Sequence, residues 1–349
     1  MNRYIAIMAG GIGSRFWPSS TTDRPKQFLD ILGVGKSLIR MTFERVLPLC
    51  PPDRIMILTN KRYKALVMEH LPEVPESNIL CEPSMNNTAP CIAYMALKIS
   101  QKDPEASFAV LPSDHIILKE DAYRHKLEQA FAFAEHHDAL VTLGISPTRP
   151  DTGYGYIKYH KDAVQEGIYK VGAFKEKPDS QTAQQYLDSG QYLWNAGMFV
   201  WSIRSILSSF AQNAPEIIEV LSQNLSAFNT EYEQSYIDDV YPKTNNISID
   251  YAILERANNV YTVPSDIGWS DLGTWSSLHA YLAADTDTVT IGKNIHLMDC
   301  QDTIVISNND KTIVIKGLHD YIVVDEDHAL LIYPKSDEQE IKEVVKRLS

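Results

Sequence analysis

A glycine-rich stretch decides the fold of this chain: Ala9-Gly10-Gly11-Ile12-Gly13-Ser14-Arg15, followed ten residues later by Pro25-Lys26-Gln27. The apolar residues 4–9 lead directly into it, which predicts a buried strand that feeds a turn. Closely spaced glycines let the backbone adopt positive φ and approach a ligand. Successive N–H groups in such a turn bind anions. Arg15 and Lys26 add positive charge, so the segment has the parts that hold a polyphosphate.

Two better-known phosphate motifs fit this region poorly. A dinucleotide-binding loop needs a third glycine after Gly11 and Gly13, and Phe16 stands there instead. Gly35-Lys36-Ser37 looks like the end of a P-loop, but Asp30 occupies the position of that motif's first glycine. A tight turn without a ligand stays open as the alternative to anion binding.

The bulk composition excludes some classes of function. The chain has 349 residues, 44% hydrophobic and 22% charged, which predicts one large domain and a smaller one. No apolar run approaches the roughly 18 residues of a membrane span, and the N-terminus shows no signal-peptide pattern. The net charge of −13 argues against a nucleic-acid or membrane surface. A few focused cations or a divalent metal can still bind anionic substrates.

The cysteines show neither metal-ligand nor disulfide spacing. They are Cys50, Cys81, Cys91 and Cys300. This usage predicts small buried side chains in a reducing compartment, and we therefore expect a cytoplasmic protein.

Strand-like and helix-like runs alternate through the first half. The strand-like runs lie at 54–59, 79–81, 107–111 and 139–143, and the helix-like runs near 61–71, 88–101 and 120–136. Alternating βα units predict an α/β fold with a mainly parallel sheet covered by helices. Ligands in such sheets bind beyond the carboxyl ends of the strands. Residues 10–15, Glu82 and Asp114 each follow a predicted strand, so we expect them at one edge.

The pattern changes twice after residue 150. Short strands rich in glycine and aromatic residues occupy 150–200, and a helical block occupies 204–257. Strand-like segments then recur every nine residues between 303 and 333, which predicts a small β unit. An amphipathic helix is predicted from Asp337.

We place the boundary near residue 286, giving a catalytic domain at 1–286 and a β-repeat unit with its helix at 287–349. The unit carries no catalytic pattern, so we expect it to support a homodimer away from the chemistry.

Six ordered motifs resemble the signatures of the sugar-1-phosphate nucleotidyltransferase family. They are Gly10-Gly11-Ile12-Gly13-Ser14-Arg15 with Pro25-Lys26, Leu111-Pro112-Ser113-Asp114-His115, Gly153-Tyr154-Gly155-Tyr156-Ile157, Phe174-Lys175-Glu176-Lys177-Pro178, Trp194-Asn195-Ala196-Gly197-Met198-Phe199 and Gly268-Trp269-Ser270-Asp271-Leu272-Gly273-Thr274-Trp275. Within the family, further segments are most similar to the guanylyltransferases that use mannose 1-phosphate. They are Arg24-Pro25-Lys26-Gln27-Phe28, Glu82-Pro83 followed by Asn87-Thr88-Ala89-Pro90, and Ser248-Ile249-Asp250-Tyr251. The resemblance covers nearly the whole chain.

The resemblance implies a Rossmann-like nucleotidyltransferase domain followed by a left-handed β-helix or a related coil. The nine-residue period differs from the six-residue repeat of an ideal left-handed β-helix, so the coil type stays open. The implied reaction is the attack of mannose 1-phosphate on the α-phosphorus of GTP, with Mg²⁺, releasing pyrophosphate. Some longer members of the family carry a second, isomerase domain, and we expect none here.

The resemblance also assigns roles to individual residues. Arg15, Lys26, Asp114 and Asp271 are the expected catalytic residues, and the two aspartates are the expected metal ligands. The expected nucleotide-binding residues are Gly10, Gly11, Gly13, Ser14, Arg15, Glu82, Thr88 and Ala89, with Glu82 reading the base. The expected sugar-phosphate residues are Gly155, Glu176, Lys177, Asn195 and Asp250. Asp250 could equally serve in the first turn of a helix.

Two other functions stay open. A related enzyme would use glucose 1-phosphate with UTP or dTTP. A non-catalytic, regulatory sugar-nucleotide-binding subunit would have the same fold. Such a subunit could lose Lys26 or one aspartate and still bind, whereas this chain has both aspartates, Arg15, Lys26 and Lys177. This complete set favours the enzyme.

Overall fold

The computed structural model of the chain describes residues 2–283 and 287–348. The strands are β1 Arg3–Met8, β2 Ile55–Asn60, β3 Ile79–Glu82, β4 Ser107–Pro112, β5 Ile116–Ile117, β6 Leu140–Ile145, β7 Gly155–Gln165, β8 Ile168–Glu176, β9 Tyr192–Ser202, β10 Val260–Ser265, β11 Trp269–Ser270, β12 Thr288–Ile291, β13 Ile295–Met298, β14 Thr303–Ser307, β15 Ile313–Lys316, β16 Tyr321–Glu326 and β17 Ala329–Pro334. The α-helices are α1 Leu38–Val46, α2 Lys64–His70, α3 Thr88–Ser100, α4 Glu120–His136, α5 Ser180–Ser189, α6 Ile203–Asn213, α7 Pro215–Leu221, α8 Glu233–Val240, α9 Trp275–Leu282 and α10 Ile341–Leu348. A π-helical turn spans Asp250–Leu254.

The described residues form two compact units. Among the described residues, the first unit comprises 2–10, 45–112 and 117–269, and the second comprises 11–44, 113–116, 270–283 and 287–348. The proposed boundary near residue 286 lies outside the described residues.

The first unit is built on a nine-stranded mixed sheet. Its strand order is β3-β2-β1-β4-β9-β6-β10-β8-β7. The first four strands are parallel, as the alternating βα pattern predicts. β9 lies between β4 and β6 and is antiparallel to both, which the sequence pattern does not reveal. The predicted α/β fold is confirmed, and its sheet is mixed, because β9, β8 and β7 add antiparallel pairings to the parallel ones.

Strand β1 shows why the parallel strands of the sheet consist of continuous runs of apolar residues. Ile5, Ala6 and Ile7 are fully buried. Parallel strands that are covered on both faces need apolar residues at every position rather than at alternate ones. The helices bring their own apolar faces: α3 contributes Ile92, Tyr94 and others to the core of this unit.

The second unit contains a parallel β coil. Ile304 pairs with Ile322, and Ile295 pairs with Ile313, so β14 and β13 each lie on the strand 18 residues further along the chain. The nine-residue sequence period is therefore half of one coil turn, because strands on two sheets alternate along the chain. β17 closes the larger sheet by pairing antiparallel to β16. The predicted C-terminal β coil is confirmed.

The coil does not lie apart from the glycine-rich segment. One apolar core in the second unit joins Phe16 and Leu29 with Ile304 and Ile322 of the coil and Ile341 of α10. The coil therefore packs against the segment that carries the glycine-rich turn, and the expectation that it takes no part in the chemistry stays a prediction. The sequence shows the apolar segments that form the coil strands but not which partner covers them.

The C-terminal helix begins later than expected. A 3₁₀ segment occupies Lys335–Glu340, and α10 follows with Ile341 buried and Leu348 exposed. Among the helices of the described residues, none combines the length and the apolar character needed to cross a bilayer.

Candidate active site

The glycine-rich turn in the second unit is shaped by Lys26. Gly13 has φ +69°, and a Cβ atom placed there would lie 2.5 Å from the Cβ of Lys26. Any larger residue would therefore both strain the backbone and displace the lysine. Two more hydrogen bonds close the turn: the Lys26 N–H donates to the Ile12 carbonyl (3.3 Å), and Gln27 Nε2 donates to the Gly11 carbonyl (2.9 Å). Glycine turn and Pro-Lys-Gln segment are thus one local structure.

Lys26 is a buried cation with two oxygen partners. Only 3% of the residue is exposed. Its Nζ donates to Asp114 Oδ2 (3.0 Å) and to the main-chain carbonyl of Asp271 (2.8 Å). The ammonium also lies 5.2 Å from the centre of the Phe16 ring. A buried ammonium is tolerated only when it is paired, so Lys26 ties the glycine turn to both aspartate loops.

Asp114 is held in its ionised form. Burial would raise the pKa of its carboxyl group, but the ammonium of Lys26 and the nearby His115 offset burial and hold the pKa below its usual value. Asp114 therefore keeps a negative charge at neutral pH beside a buried positive charge.

A cavity of about 210 Å³ opens where these groups meet. It is lined by Gly13, Arg15, Phe16, Lys26, Asp114, His115, Asp271 and Gly273. The structure thus brings together all four predicted catalytic residues. Arg15 is exposed at this cavity, whereas Lys26 is buried within it. Ser14 lies half-buried in the short 3₁₀ segment Ser14–Phe16, and Gly11 is exposed.

The donor set of this cavity fits one kind of metal. Two carboxylates, Asp114 and Asp271, line it, and no cluster of three or more His, Cys, Asp or Glu side chains suited to a metal exists among residues 2–283 and 287–348. Zn²⁺ sites need at least three protein ligands. Mg²⁺ is held by one or two carboxylates together with substrate phosphates and water. The residues present therefore fit Mg²⁺.

The predicted sugar-phosphate residues gather in the first unit. Gly155 begins β7 opposite Glu176 at the end of β8. A Cβ on Gly155 would collide with Glu176 Oε2 and would lie 3.3 Å from the Cβ of Asn195. Glycine is needed here because a carboxylate and an amide crowd against its backbone.

Charged groups surround this glycine. Lys177 Nζ pairs with Glu176 Oε1 (2.8 Å), and this hydrogen bond raises the pKa of Lys177. Asn195 Nδ2 donates to Asp250 Oδ1 (3.0 Å), while its Oδ1 accepts from the Gly197 N–H (3.0 Å). Burial, reinforced by the charge of Glu176, raises the pKa of Asp250 to about 6. All five predicted sugar-phosphate residues therefore lie in one polar cluster.

Asp250→Asn is expected to stabilise the fold at about pH 8, by roughly 1–3 kcal/mol, because the ionised carboxylate is disfavoured here. The raised pKa makes the protonated carboxyl contribute stability that is complete below the ordinary pKa of aspartate and lost as the pH rises through about 6. Asparagine is neutral at every pH, so its advantage should be present at about pH 8 and absent at about pH 4. Urea unfolding of both proteins measures this, and a difference independent of pH would contradict it.

Glu82 is a buried carboxyl at the end of β3. Tyr241 Oη donates to its Oε1 through a short hydrogen bond. Burial raises the pKa of Glu82 to about 7, although Tyr241 and Cys91 both favour its charged form. A Cβ on Gly10 would lie 3.6 Å from Oε2 of Glu82. Gly10 and Glu82 are thus neighbours at one edge of the sheet, as the parallel order of β1 and β3 predicts.

The backbone N–H groups of Thr88 and Ala89, in the first turn of α3, donate hydrogen bonds within the protein. The Thr88 N–H donates to Asn87 Oδ1 (2.9 Å), and the Ala89 N–H donates to the Ile247 carbonyl (3.1 Å). The Thr88 hydroxyl accepts from the Ile249 N–H (2.8 Å). Both residues thus anchor the 247–249 segment that precedes Asp250.

Some residues of these clusters were missed by sequence reasoning. Gln27 and His115 lie within the motifs described above, so their positions could have identified them as site residues. Gly273 also follows a motif aspartate, and its N–H donates to Asp271 Oδ1 (3.1 Å). Tyr241 had no signal, because it reaches Glu82 from 159 residues away.

Comparison with known proteins first gives the class. Residues 5–288 match the sequence model of the family described as nucleotidyl transferase, and residues 292–348 match that of the mannose-phosphate isomerase/GMP-like β-helix domain. The chain belongs to the nucleotidyl transferase family.

Several of its relatives are named mannose-1-phosphate guanylyltransferase. RfbM of Salmonella typhimurium is 36% identical over 344 residues, which cover 97% of this chain and 71% of that protein. The Escherichia coli K12 enzyme is 33% identical over 354 residues, which cover 99% and 73%. A crystal structure from Thermus thermophilus, described as a mannose-1-phosphate geranyltransferase, has a TM-score of 0.90 at 31% identity and covers 100% of this chain and 99% of that one. The resemblance inferred from the six motifs is confirmed.

Proposed function

We propose that this chain transfers GMP from GTP to the phosphate of α-D-mannose 1-phosphate, giving GDP-mannose and pyrophosphate. One observation carries the proposal beyond family membership: the buried ammonium of Lys26 joins the glycine turn to Asp114 and Asp271 in one cavity. The names of the relatives supply the substrates.

The cavity residues serve the nucleotide phosphates. The reaction brings two anions together, so its rate depends on positioning and on neutralising charge rather than on a covalent enzyme group. We assign the exposed guanidinium of Arg15 to the departing pyrophosphate, because its planar fork matches phosphate oxygens. Lys26 neutralises the charge that develops at the α-phosphate, with the N–H groups of Gly11, Gly13 and Ser14 as further donors.

Asp114 and Asp271 would hold Mg²⁺. When bound, the ion supplies positive charge to the α-phosphate and the leaving oxygen. Asp114 is suited to this role because its carboxyl stays ionised beside Lys26.

The sugar-phosphate cluster serves the second substrate. Lys177 binds the 1-phosphate, and Glu176, Asn195 and Asp250 accept from or donate to sugar hydroxyls, together with the backbone at Gly155. Lys177 is exposed, and its ammonium is oriented by Glu176. A phosphate that approaches it therefore meets a fixed donor.

We assign base reading to Glu82. Guanine presents N1–H and N2–H₂ on one edge, whereas uracil and thymine present a single N–H there. A carboxylate that already accepts from Tyr241 has acceptor capacity left at its second oxygen. We assign Thr88 and Ala89, which begin the helix after this strand, to the same base site.

Lys177→Ala should raise the KM for mannose 1-phosphate by about tenfold to a hundredfold, since a charge-assisted bond is worth roughly 1.5–3 kcal/mol. The KM for GTP should change much less. Lys175→Ala is the matched control, because this exposed lysine lies two residues earlier, on β8. Initial rates at varied concentrations of each substrate measure both constants, and equal effects on the two substrates would place Lys177 elsewhere.

A matrix of nucleotides against sugar phosphates tests the function. GTP, UTP and dTTP are each combined with mannose 1-phosphate and glucose 1-phosphate, and pyrophosphate release is measured with Mg²⁺. We expect GTP with mannose 1-phosphate to be fastest. A large preference for UTP or dTTP would indicate the related uridylyl- or thymidylyltransferases, and binding without turnover would indicate the regulatory subunit.

We also propose that the protein is a cytoplasmic homodimer. The boundary between its nucleotidyltransferase domain and its C-terminal β unit falls near residue 286 in this proposal. The exposed apolar residues Leu330 and Ile332 on β17 support the dimer, because they lie on one face of an edge strand. Sedimentation at micromolar concentration tests this, and a strict monomer would remove the dimer.

A further inference from the structure

A short loop before β7 carries interactions to which the proposed reaction gives no role. Residues 149–154, here the Arg149 loop, connect β6 to the glycine at the sugar-phosphate cluster. Within it, Arg149 Nε and Nη2 both donate to Asp151 Oδ2 (3.0 and 2.7 Å). Asp151 Oδ1 accepts from the Gly153 N–H (2.8 Å). One carboxylate therefore fixes both the arginine and the backbone of the loop.

The guanidinium lies against aromatic rings. Its carbon is 5.2 Å from the centre of the Trp194 ring and 5.8 Å from that of Tyr154. Tyr154 in turn makes edge contacts with Trp194 (5.1 Å between ring centres) and with Trp269 (5.2 Å). A guanidinium beside two rings, already oriented by a carboxylate, stabilises one ring arrangement.

Tyr154 connects this arrangement to the sugar-phosphate cluster. Its main-chain carbonyl accepts from the Lys177 N–H (3.2 Å). Lys177 has φ +46°, a conformation that a residue with a side chain adopts only when neighbours hold it there. Tyr154 also directly precedes Gly155, and Trp194 directly precedes Asn195. The ring cluster therefore borders three residues of the proposed sugar-phosphate site.

We propose that Arg149 is a positioning residue for mannose 1-phosphate: it fixes Tyr154, whose carbonyl holds Lys177 in the conformation that presents its ammonium to the sugar phosphate. Arg149 itself is not assigned a substrate contact. The inference rests on the proposed function, because it assumes that Lys177 binds the phosphate. It adds a determinant outside the catalytic and binding residues predicted from the motifs.

Four variants test this proposal. Arg149→Ala removes the guanidinium, and Arg149→Lys keeps the charge but loses the planar fork. Asp151→Asn weakens the arginine's anchor without touching the rings, and it substitutes for the first variant if that one fails to fold. Arg204→Ala is the matched control, because Arg204 is an exposed arginine on α6 of the same unit.

We expect Arg149→Ala and Arg149→Lys each to raise the KM for mannose 1-phosphate about tenfold, which corresponds to about 1.4 kcal/mol, with the KM for GTP within about twofold of wild type. Asp151→Asn should raise the same constant by less, and Arg204→Ala should change neither. A wild-type KM in Arg149→Lys would overturn the proposal, because charge alone would then suffice. Equal rises for both substrates would also overturn it.

A second readout separates this inference from the proposed function. The near-ultraviolet circular dichroism of the tryptophans should change in Arg149→Ala and not in Arg204→Ala, whether or not the protein turns over mannose 1-phosphate. An unchanged spectrum would overturn the positioning role. Absence of wild-type activity with GTP and mannose 1-phosphate, combined with the expected spectral change, would count against the proposed function instead.

Discussion

Asp271→Asn is expected to lower the kcat for GDP-mannose formation by roughly two to three orders of magnitude, the effect of losing several kcal/mol of charge stabilisation at the α-phosphate. The variant is a clean test because Lys26 Nζ donates to the main-chain carbonyl of Asp271, which the substitution does not remove. Asparagine keeps that carbonyl, so Lys26 keeps both of its partners. Initial rates with saturating GTP and mannose 1-phosphate across a range of Mg²⁺ concentrations measure the effect.

Two comparisons sharpen this result. Asp114→Asn should lower kcat similarly but should also destabilise the fold, since Asp114 is the charged partner of the buried Lys26. Asp327→Asn removes an exposed carboxylate of the same unit and should leave kcat unchanged. Near-normal kcat in Asp271→Asn at saturating Mg²⁺ would show that its carboxylate is not a metal ligand.

The parallel half of the sheet was predictable because its information is local. Residues 4–9 are apolar at every position, and the structure places a buried strand at Arg3–Met8. The helices predicted near 88–101 and 120–136 are present as Thr88–Ser100 and Glu120–His136. Within each of these runs, the spacing of the apolar residues fits one type of secondary structure. The sequence pattern and the structure therefore agree.

The parts that escaped prediction depend on pairing between distant segments. β9 lies antiparallel between β4 and β6, and no pattern within Tyr192–Ser202 specifies these neighbours. The nine-residue tail period revealed strands but not the 18-residue coil turn, because alternation between two sheets is not visible in sequence. The core shared by Phe16 and the coil was hidden for the same reason.

The candidate site divides in the same way. Lys26, Asp114 and Asp271 were found through their motifs, and the structure brings them into one cavity. Their mutual geometry came only from the structure: nothing in the sequence shows that Gly13 is a glycine because Lys26 packs against it. Their roles in catalysis stay predictions until the variants are measured.

The other large effect concerns stability, at a buried ion pair far from any assigned role. Glu233 at the start of α8 is 7% exposed, and Lys98 at the end of α3 is 4% exposed. Lys98 Nζ donates to both carboxylate oxygens of Glu233 (2.7 and 2.6 Å). Tyr94 Oη (2.7 Å) and the Asn229 N–H (2.6 Å) donate to the same carboxylate. Both oxygens of the carboxylate are therefore bonded twice, and the carboxylate joins α3 to α8.

Glu233→Ala should lower the free energy of unfolding by about 3–5 kcal/mol, because it leaves the ammonium of Lys98 buried without its counter-ion. Glu231→Ala removes an exposed glutamate two residues earlier and should change stability by less than about 0.5 kcal/mol. Urea unfolding of the three proteins measures both differences. A loss below about 1 kcal/mol in Glu233→Ala would mean that the pair does not link the two helices.

The pH dependence of that loss identifies its cause. Burial already lowers the pKa of Lys98, and Glu233 opposes this effect. Without Glu233, the pKa of Lys98 in the folded state should fall further below its value in the unfolded chain. The unfolded state then binds more protons between these two pKa values, so the stability of the variant must rise with pH in that window. The deficit relative to wild type should therefore shrink as the pH is raised from neutral toward the ordinary lysine pKa. Lys98→Met combined with Glu233→Ala should remove this pH dependence, because the pair then leaves no buried charge. If the deficit of Glu233→Ala stays constant with pH, lost packing rather than the unpaired charge of Lys98 causes the loss of stability.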